Sequence, residues 1–265
     1  IDCCDLKEVK KIIKGVQIVY HCAATAHEGL SVFSPYEITK NNYLASISIF
    51  TAAVDEKVQR IIFCSSMARY GKLNPPFKET DNPNPVDPYG ISKLAAEKIL
   101  INICETHNIE YNIAVPHNII GDKQRYNDPF RNVASIMINL MLQNKRPIIY
   151  GDGEQTRSFC YVDDQVSGLI KLMNKEHQGP INIGNPSELS IKYLAFKIRE
   201  MTQSNSEIEF KELPSDDPHQ RKPDISRAKC LLEWSPTVEL EEGLRKTIDY
   251  FRNLYTESSL IIQAR

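Results

Sequence analysis

The chain has 265 residues, 42% of them hydrophobic, and a formal net charge of −2 at pH 7. A chain of this length can bury a sizeable core, as one large domain or as two closely associated ones. Its basic residues are dispersed, so the sequence predicts no nucleic-acid partner and no anionic membrane surface as a partner. No apolar run approaches the ~20 residues that a membrane span requires.

The seven cysteines are scattered along the chain. No CxxC pair and no Cys/His cluster with zinc spacing occurs. Cys22, Cys64 and Cys160 lie in apolar runs, where a thiol usually packs as a small hydrophobic group. The cysteine pattern therefore predicts a reduced, cytoplasmic protein with no disulfide and no structural metal.

The first half of the chain alternates between helical and strand patterns. In chain order it predicts a helix over 5–14 ending at Gly15, a strand over 16–24, a helix over 35–57, a strand over 60–66, a helix over 88–107 and a strand over 109–121. This rhythm is typical of a parallel α/β sheet with crossover helices. Ligands of such sheets bind beyond the carboxyl ends of the strands. His21–Ala24, Ser65–Ser66 and His117–Asn118 follow those ends, so we expect the chemistry there.

The pattern changes after residue 121. It predicts helices over 130–143, 162–173 and 190–202, short strands at 147–150 and 181–184, and a last helical region ending near Tyr255. This mixed α+β pattern indicates a smaller second domain. Residues 256–265 are predicted to be a loosely held tail.

The segment "DPYGISK" (87–93) places Tyr89 four residues before Lys93 at a predicted helix start. On a helix the two side chains share one face. An ammonium group beside a phenol favours the phenolate, so we expect a lowered pKa for Tyr89 and a usable base for an alcohol proton. Such pairs also occur by chance on amphipathic helices. Ser66, at the end of a strand, could hydrogen-bond the oxygen that Tyr89 deprotonates.

Several stretches in series carry a resemblance: "VYHCAA", "NNYLAS", "CSSMARYG", "DPYGISKLAAE", "VPHNIIG", "GDGEQTRSFCYVDD" and "RKPDISRAKCLLEW". Together they resemble the extended short-chain dehydrogenases/reductases, the NAD-dependent nucleotide-sugar epimerases and dehydratases that include UDP-glucose 4-epimerase. The resemblance implies a Rossmann-like parallel sheet with helices on both faces and a smaller C-terminal α+β substrate domain. Residues 1–121 would form the NAD-binding domain, and 122–255 mainly the substrate domain, with some segments returning to the first.

The resemblance also implies roles for individual residues. The catalytic triad would be Ser66, Tyr89 and Lys93. The cofactor NAD would be bound by Tyr89 and Lys93, the latter at the nicotinamide ribose, and by Asp2, Ala23, Ala24 and Asn42. The nucleotide sugar would be bound by Ser66, Asn118, Arg157, Arg221 and Asp224. Two arginines suit a diphosphate, because the planar guanidinium matches phosphate oxygens.

Some of these residues have simpler structural alternatives. Asn42 could cap or cross-link helices, Asp224 could be a cap, and Asp2 lies close to the first residue. For His21 and His117 we expect local hydrogen bonds, not catalysis. Asp163 and Asp164 are expected to begin a helix and not to bind a metal.

The two positions after Ser66 bear on the reaction. Dehydratases of this family carry an Asp-Glu pair there, and uronate decarboxylases carry a glutamate at the second position. Here they are Met67 and Ala68, so the sequence favours simple C4-epimerisation of a UDP-hexose through a 4-keto sugar. UDP-glucuronate decarboxylation stays open, because the C-terminal part resembles the decarboxylases. Arg69 and Val115 depart from the family pattern and could alter sugar preference.

The family's first strand and glycine-rich pyrophosphate turn would precede Ile1, and no GxxGxxG occurs in these residues. We therefore expect a fragment of a longer enzyme, inactive alone. A non-catalytic binding module is the alternative from another class, and the joint retention of Ser66, Tyr89 and Lys93 counts against it. The resemblance further implies a homodimer built on the helices over 35–57 and 88–107.

Overall fold

A computed structural model gives the structure and describes residues 1–176, 178–212 and 220–263. The α-helices in this part of the chain are α1 (Leu6–Ile13), α2 (Glu28–Ser31), α3 (Pro35–Thr39), α4 (Ala45–Asp55), α5 (Pro88–His107), α6 (Val133–Leu142), α7 (Val162–Met173), α8 (Ile191–Thr202), α9 (Ser226–Leu232) and α10 (Leu240–Gln263). A π-helical turn, Lys40–Leu44, joins α3 to α4, and a 3-10 turn covers Met67–Tyr70.

The strands of the described residues are mostly short. They are β1 (Ile18–His21), β2 (Arg60–Cys64), β3 (Glu110–Pro116), β4 (Ile119–Ile120), β5 (Ile148–Tyr150), β6 (Thr156–Ser158), β7 (Cys160–Tyr161), β8 (Pro180–Ile183), β9 (Glu188–Ser190), β10 (Glu209–Lys211) and β11 (Gln220–Arg221).

The chain divides into two compact units. The first consists of Ile1–His117, Ser167–Ile183 and Pro223–Ser235, and the second of Asn118–Val166, Gly184–Lys222 and Pro236–Arg265. The assignment of NAD to the first part of the chain and of substrate to the second stays a prediction.

The first unit is built on a four-stranded parallel sheet of order β1-β2-β3-β8. Its strands are apolar and rich in β-branched residues, as buried parallel strands are. Within the described residues β1 is an edge strand, and Ile18 and Tyr20 are each about 40% exposed. The predicted parallel α/β fold is confirmed.

Helices cover both faces of this sheet. One face packs against α1, α4 and α5 around Phe50, Phe63 and Leu100, which are fully buried. Ile113 of β3 pairs with Pro180 of β8, so these two side chains lie on the same face of the sheet. Ile183 follows Pro180 by three residues and therefore lies on the opposite face. On that opposite face Gly168 of α7 lies so close to Ile183 that a Cβ would come within 2.7 Å of its side chain.

The second unit has small sheets and its own core. Its sheets are β10-β5, β11-β6-β9 and β4-β7, and its core residues come mainly from α6, α8 and α10. Asp164, in the first turn of α7, accepts hydrogen bonds from the main-chain N–H groups of Thr237 and Val238. It therefore anchors the segment before α10, in addition to the helix-start position predicted for it.

The C-terminal prediction needs correction. The sequence predicts that the last helical region ends near Tyr255, whereas α10 continues to Gln263. The loosely held tail over 256–265 stays a prediction. No glycine or proline follows Tyr255, so nothing in the sequence breaks the helix there. Residues 264 and 265 lie outside the described residues.

None of the described helices is both long and apolar enough to cross a bilayer.

Candidate active site

Ser66 lies just beyond the carboxyl end of β2, where it begins the 3-10 turn. Its hydroxyl oxygen accepts a hydrogen bond from Ala68 N at 3.2 Å. It also forms a side-chain hydrogen bond with the phenol of Tyr89. The structure thus brings the predicted serine and tyrosine together.

The start of α5 positions Tyr89. Asp87 caps the helix by accepting a hydrogen bond from Gly90 N at 2.9 Å, which satisfies a donor of the first turn. Gly90 packs directly on the 3-10 turn, because a Cβ at this position would lie 2.7 Å from the Ala68 carbonyl oxygen. A larger residue at position 90 would push α5, and Tyr89 with it, away from Ser66.

Lys93 lies one turn after Tyr89 on α5 and is only 2% exposed. Its ammonium group donates to the Cys64 carbonyl oxygen at 2.7 Å and lies 4.7 Å from the centroid of the Phe63 ring. That is the one hydrogen bond found for this ammonium group among the described residues. Burial lowers the pKa of Lys93 to about 8.

The predicted direction of the Tyr89 pKa shift is wrong. Burial raises the pKa of Tyr89 to about 12, and the Ser66 hydrogen bond, which favours the phenolate, offsets this only in part. The physical reason is that Tyr89 is 7% exposed, so loss of hydration of the phenolate dominates. The Lys93 ammonium is directed to the Cys64 carbonyl.

Sequence reasoning missed a buried polar cluster beside the triad. Glu97, 2% exposed, accepts a hydrogen bond from the Ser65 hydroxyl and pairs with Arg69 at 3.1 Å. Burial raises the pKa of the Glu97 carboxyl. Position 97 continues the spacing of 89 and 93 along one helix face, which is the signal that could have identified it. The two departures from the family pattern are both buried, Arg69 in this pair and Val115 in an apolar cluster.

The predicted cofactor residues have varied surroundings. Ala23 and Ala24 are exposed directly after β1. Asn42 is fully buried: its amide group donates to the carbonyls of Thr25 and Ile38 and accepts from Thr25 N. Asn42 therefore fixes the loop that follows β1, as its structural alternative proposed.

The two predicted aspartates each accept a local main-chain hydrogen bond. Asp2 is exposed and accepts from Cys4 N at 2.8 Å, which lowers its pKa. Asp224 accepts from Ser226 N at 2.7 Å at the start of α9, and hydrogen bonds to Ser226 lower its pKa too. Asp224 thus binds the first residue of α9 from the position before the N-cap, Ile225, and its predicted role toward substrate stays a prediction.

The histidines make the local hydrogen bonds predicted for them. His21 Nε2 lies 2.8 Å from the Ser46 hydroxyl, and burial lowers the pKa of His21 to about 3. His117 Nε2 lies 3.2 Å from the Asn182 side-chain oxygen. Asn182 is a further buried residue that the sequence did not single out.

The second unit contains Asn118 and the two predicted arginines. Arg157 on β6 and Arg221 on β11 are register partners, so the structure sets two guanidinium-bearing residues side by side on paired parallel strands. Arg157 is 9% exposed and donates to the Thr156 carbonyl. Asn118 has a φ of +24° and donates to the Ser158 carbonyl at 3.0 Å. Two planar guanidinium groups on neighbouring strands suit the oxygens of a phosphate group.

One cysteine prediction was wrong. Cys22 is exposed just after β1, while Cys64 is half-buried and Cys160 is buried. The apolar run that includes Cys22 ends as a paired strand at His21, which leaves the thiol beyond the sheet.

The sequence profile of the NAD dependent epimerase/dehydratase family matches residues 1–184. The chain belongs to this family. NAD, the predicted cofactor, is the cofactor of the family, and the resemblance found in the sequence is confirmed.

Relatives in sequence include UDP-glucuronic acid decarboxylases. The chain is 37% identical over 244 residues to UDP-glucuronic acid decarboxylase 1 of Xenopus tropicalis and 36% identical over 252 residues to that of Arabidopsis thaliana, matching 89% and 92% of this chain. It spans 57% of the length of each of these relatives.

Solved structures that match the chain include epimerases. The chain superimposes on the UDP-glucose 4-epimerase of Thermotoga maritima with a TM-score of 0.91 and 30% identity, covering 96% of this chain and 84% of that one. It matches the UDP-glucuronic acid 4-epimerase of Bacillus cereus, solved with UDP-glucuronic acid and NAD, with a TM-score of 0.85 and 28% identity, covering 95% and 81%.

Proposed function

We propose that the protein is an NAD-dependent nucleotide-sugar 4-epimerase that acts on a UDP-hexose through a 4-keto intermediate. The observation that carries the proposal is the Ser66–Tyr89 hydrogen bond, with Lys93 one turn later, next to a turn whose first two residues after Ser66 are neither acids nor bases. Met67 and Ala68 occupy those two positions. A 4-epimerase needs no further acid or base, whereas elimination of water does.

The residues of the first unit fit NAD. The buried Lys93 ammonium has three donors and uses one on the Cys64 carbonyl, which leaves it suited to ribose hydroxyls. Ala23 and Ala24, small and exposed after β1, would let the cofactor approach the main chain closely. When bound, NAD supplies the acceptor and donor of the hydride from the sugar C4.

The Tyr89 phenol oxygen, Oη, would exchange the proton with the 4-hydroxyl group of the sugar. Ser66 would hydrogen-bond the same hydroxyl and hold it near the phenol. Burial keeps Tyr89 protonated at neutral pH, so the phenol is prepared to return a proton to the 4-keto oxygen. The Lys93 charge and the Ser66 hydroxyl are the groups that would favour the phenolate in the opposite direction.

Substrate binding would fall to the second unit. The paired Arg157 and Arg221 would hold the diphosphate, with Asn118 as a further polar contact. Asp224, in the first unit, is the remaining predicted substrate residue.

Decarboxylation of a UDP-uronate is the second candidate. It is favoured by 36–37% identity to UDP-glucuronic acid decarboxylases over about nine-tenths of the chain. Against it stands Ala68 at the position of the decarboxylases' glutamate. The nearby buried carboxylate, Glu97, is paired with Arg69 and Ser65.

The test uses the full-length gene product with UDP-glucose, UDP-N-acetylglucosamine and UDP-glucuronate, each followed by proton NMR. We expect a galacto-configured product from at least one sugar and none with Tyr89→Phe. A UDP-pentose from UDP-glucuronate would establish the decarboxylase instead. No turnover of any of the three would favour a different nucleotide sugar or the non-catalytic module.

A homodimer and a cytoplasmic location remain part of the proposal. The predicted dimer helices expose apolar side chains, with Tyr36 75% and Ile91 54% exposed. Analytical ultracentrifugation of the full-length protein would reveal a monomer if the dimer is wrong.

A further inference from the structure

Two thiols lie side by side at the carboxyl ends of neighbouring strands. Cys22 directly follows β1 and Cys64 ends β2, and the register His21–Phe63 makes them the next opposed residues. Their sulfur atoms are 3.6 Å apart. Opposed residues of paired strands are separated by about 4.8 Å, within the ~4.4–6.8 Å Cα separation of disulfides. Closing a bond of ~2 Å requires the sulfurs to approach by about 1.6 Å.

The two thiols differ in exposure, since Cys22 is exposed and Cys64 is half-buried. The hydrogen bond with the Cys64 thiol is the main cause that lowers the pKa of Cys22 to about 7. The Lys93 ammonium lowers this pKa further, while the partial burial of the Cys22 sulfur opposes both effects. The same hydrogen bond and burial raise the pKa of Cys64. An accessible cysteine of low pKa beside a second thiol has the features of a redox-sensing cysteine with its resolving partner.

We propose that Cys22 and Cys64 form a peroxide-reactive pair that closes to a disulfide. The Cys22 thiolate attacks one oxygen of hydrogen peroxide, the O–O bond breaks, and the departing hydroxide takes a proton to become water. The Cys22 sulfenic acid then reacts with the Cys64 sulfur: the S–S bond forms, the S–O bond breaks, and a second water leaves. Two thiols are oxidised and one peroxide is reduced.

The disulfide has a consequence for the site, which rests on the proposed function. The Cys64 carbonyl accepts the Lys93 hydrogen bond at 2.7 Å, and Ser65 and Ser66 follow in the chain. Movement of Cys64 toward Cys22 would shift this segment. Since a misplacement of about 1 Å can cost ~10²-fold in rate, we expect the oxidised enzyme to be slower by up to that factor and to recover with dithiothreitol.

The decisive experiment is independent of catalysis. The protein is treated with one equivalent of hydrogen peroxide, its free thiols are counted, and its disulfides are mapped by mass spectrometry of proteolytic peptides. We expect loss of two of the seven thiols, one cross-linked peptide pair joining Cys22 to Cys64, and full reversal by dithiothreitol. The control Cys230→Ser removes another exposed thiol and leaves this cross-link unchanged.

Two variants test the order of events. In Cys64→Ser, dimedone should label Cys22 as its sulfenic acid, with no cross-link. In Cys22→Ser, dimedone should label nothing at Cys64. Thiol loss without the Cys22–Cys64 cross-link, or labelling of Cys64 in place of Cys22, would overturn the proposal. A cross-link that leaves the rate of an active enzyme unchanged would contradict the predicted effect of the disulfide on the active site. A cross-link in a protein inactive when reduced would contradict the proposed function and leave the thiol pair standing.

Discussion

Burial governs the chemistry of Tyr89 and Lys93. Both side chains are less than 10% exposed, and each is pushed toward its neutral form, the phenol to a pKa of about 12 and the amine to about 8. Loss of hydration disfavours any buried charge, whatever its sign. Burial of these two groups therefore lowers the stability of the folded protein, and this loss of stability can be measured separately from activity.

Tyr89→Phe removes the phenol oxygen and keeps the ring. We expect kcat to fall by about 10²–10⁴-fold, the usual contribution of a positioned proton-transfer group. The matched control is Tyr70→Phe, which removes another buried phenol, hydrogen-bonded to Asn182 at 2.8 Å. Steady-state kinetics would contradict the assignment if the two variants lost activity equally.

Lys93→Met tests the cost of the buried ammonium. Below about pH 8 the Lys93 amine is charged in both the folded and the unfolded chain, so the full free energy of burying the charge destabilises the folded protein. Between about pH 8 and 10.5 only the unfolded chain keeps the proton. The free energy of unfolding therefore rises with pH in this range. The stability gain of Lys93→Met over wild type should therefore fall by about 3 kcal/mol between pH 7 and pH 10.5. Urea unfolding measures it.

The control for that experiment is Lys98→Met, which removes one positive charge from an exposed position of the same helix. A difference between wild type and Lys93→Met that is constant with pH would show that Lys93 is not strained by burial.

At the scale of elements, the Arg69–Glu97 pair ties the 3-10 turn after Ser66 to α5. Arg69 belongs to the turn and Glu97 to the helix, and both side chains are at most 6% exposed. This pair, together with the close approach of Gly90 to Ala68, fixes the distance between the two elements that carry Ser66 and Tyr89.

Glu97→Leu should destabilise the protein by about 3–5 kcal/mol, because it leaves the Arg69 charge buried and unpaired. Arg69→Met should cost less, since Glu97 can take up a proton, whereas arginine cannot release one. The double variant should be more stable than Glu97→Leu alone. Urea unfolding of the four proteins gives the coupling energy, and simple additivity of the two single costs would contradict the pairing.

The paired strands β6 and β11 make a second prediction at this scale. Arg221→Gln should raise KM for the nucleotide sugar by about 10–100-fold with little change in kcat, since a hydrogen bond to a charged group contributes about 1.5–3 kcal/mol. The control is Lys222→Gln, the next residue, whose ammonium pairs with Glu188. A fall in kcat at unchanged KM would exclude the diphosphate role.

At the scale of the whole molecule, long periodic segments and the apolar strands β5 and β8 were predictable, whereas the polar strands β6 and β11 were not. Helices α5 and α7 begin and end where the sequence predicts, because caps and apolar spacing act locally. Polar strands of two or three residues, such as β6 and β11, depend on distant partners and leave no periodic signal. Within the site, the resemblance assigned Ser66 and Tyr89 to one triad, and the structure shows a hydrogen bond between their side chains. The Tyr89 pKa and the Cys22–Cys64 pair were not predictable, because they depend on burial and neighbours.

Family membership leaves one question at this scale. The 4-keto sugar is either reduced directly to the 4-epimer, or it first loses a carboxylate and becomes a UDP-pentose. The chain is similar in sequence to decarboxylases and in structure to epimerases, so similarity alone does not separate the two reactions. The resemblance implies that the two kinds of enzyme differ at the two positions after Ser66, and Met67 and Ala68 at these positions support the proposed epimerisation.

The most direct measurement follows deuterium at the sugar C4. A UDP-sugar labelled at C4 is incubated with the full-length protein and examined by NMR. We predict a product of inverted configuration that still carries deuterium at C4, because the hydrogen leaves and returns as hydride. A product with the label lost to water, or a UDP-pentose, would contradict the account.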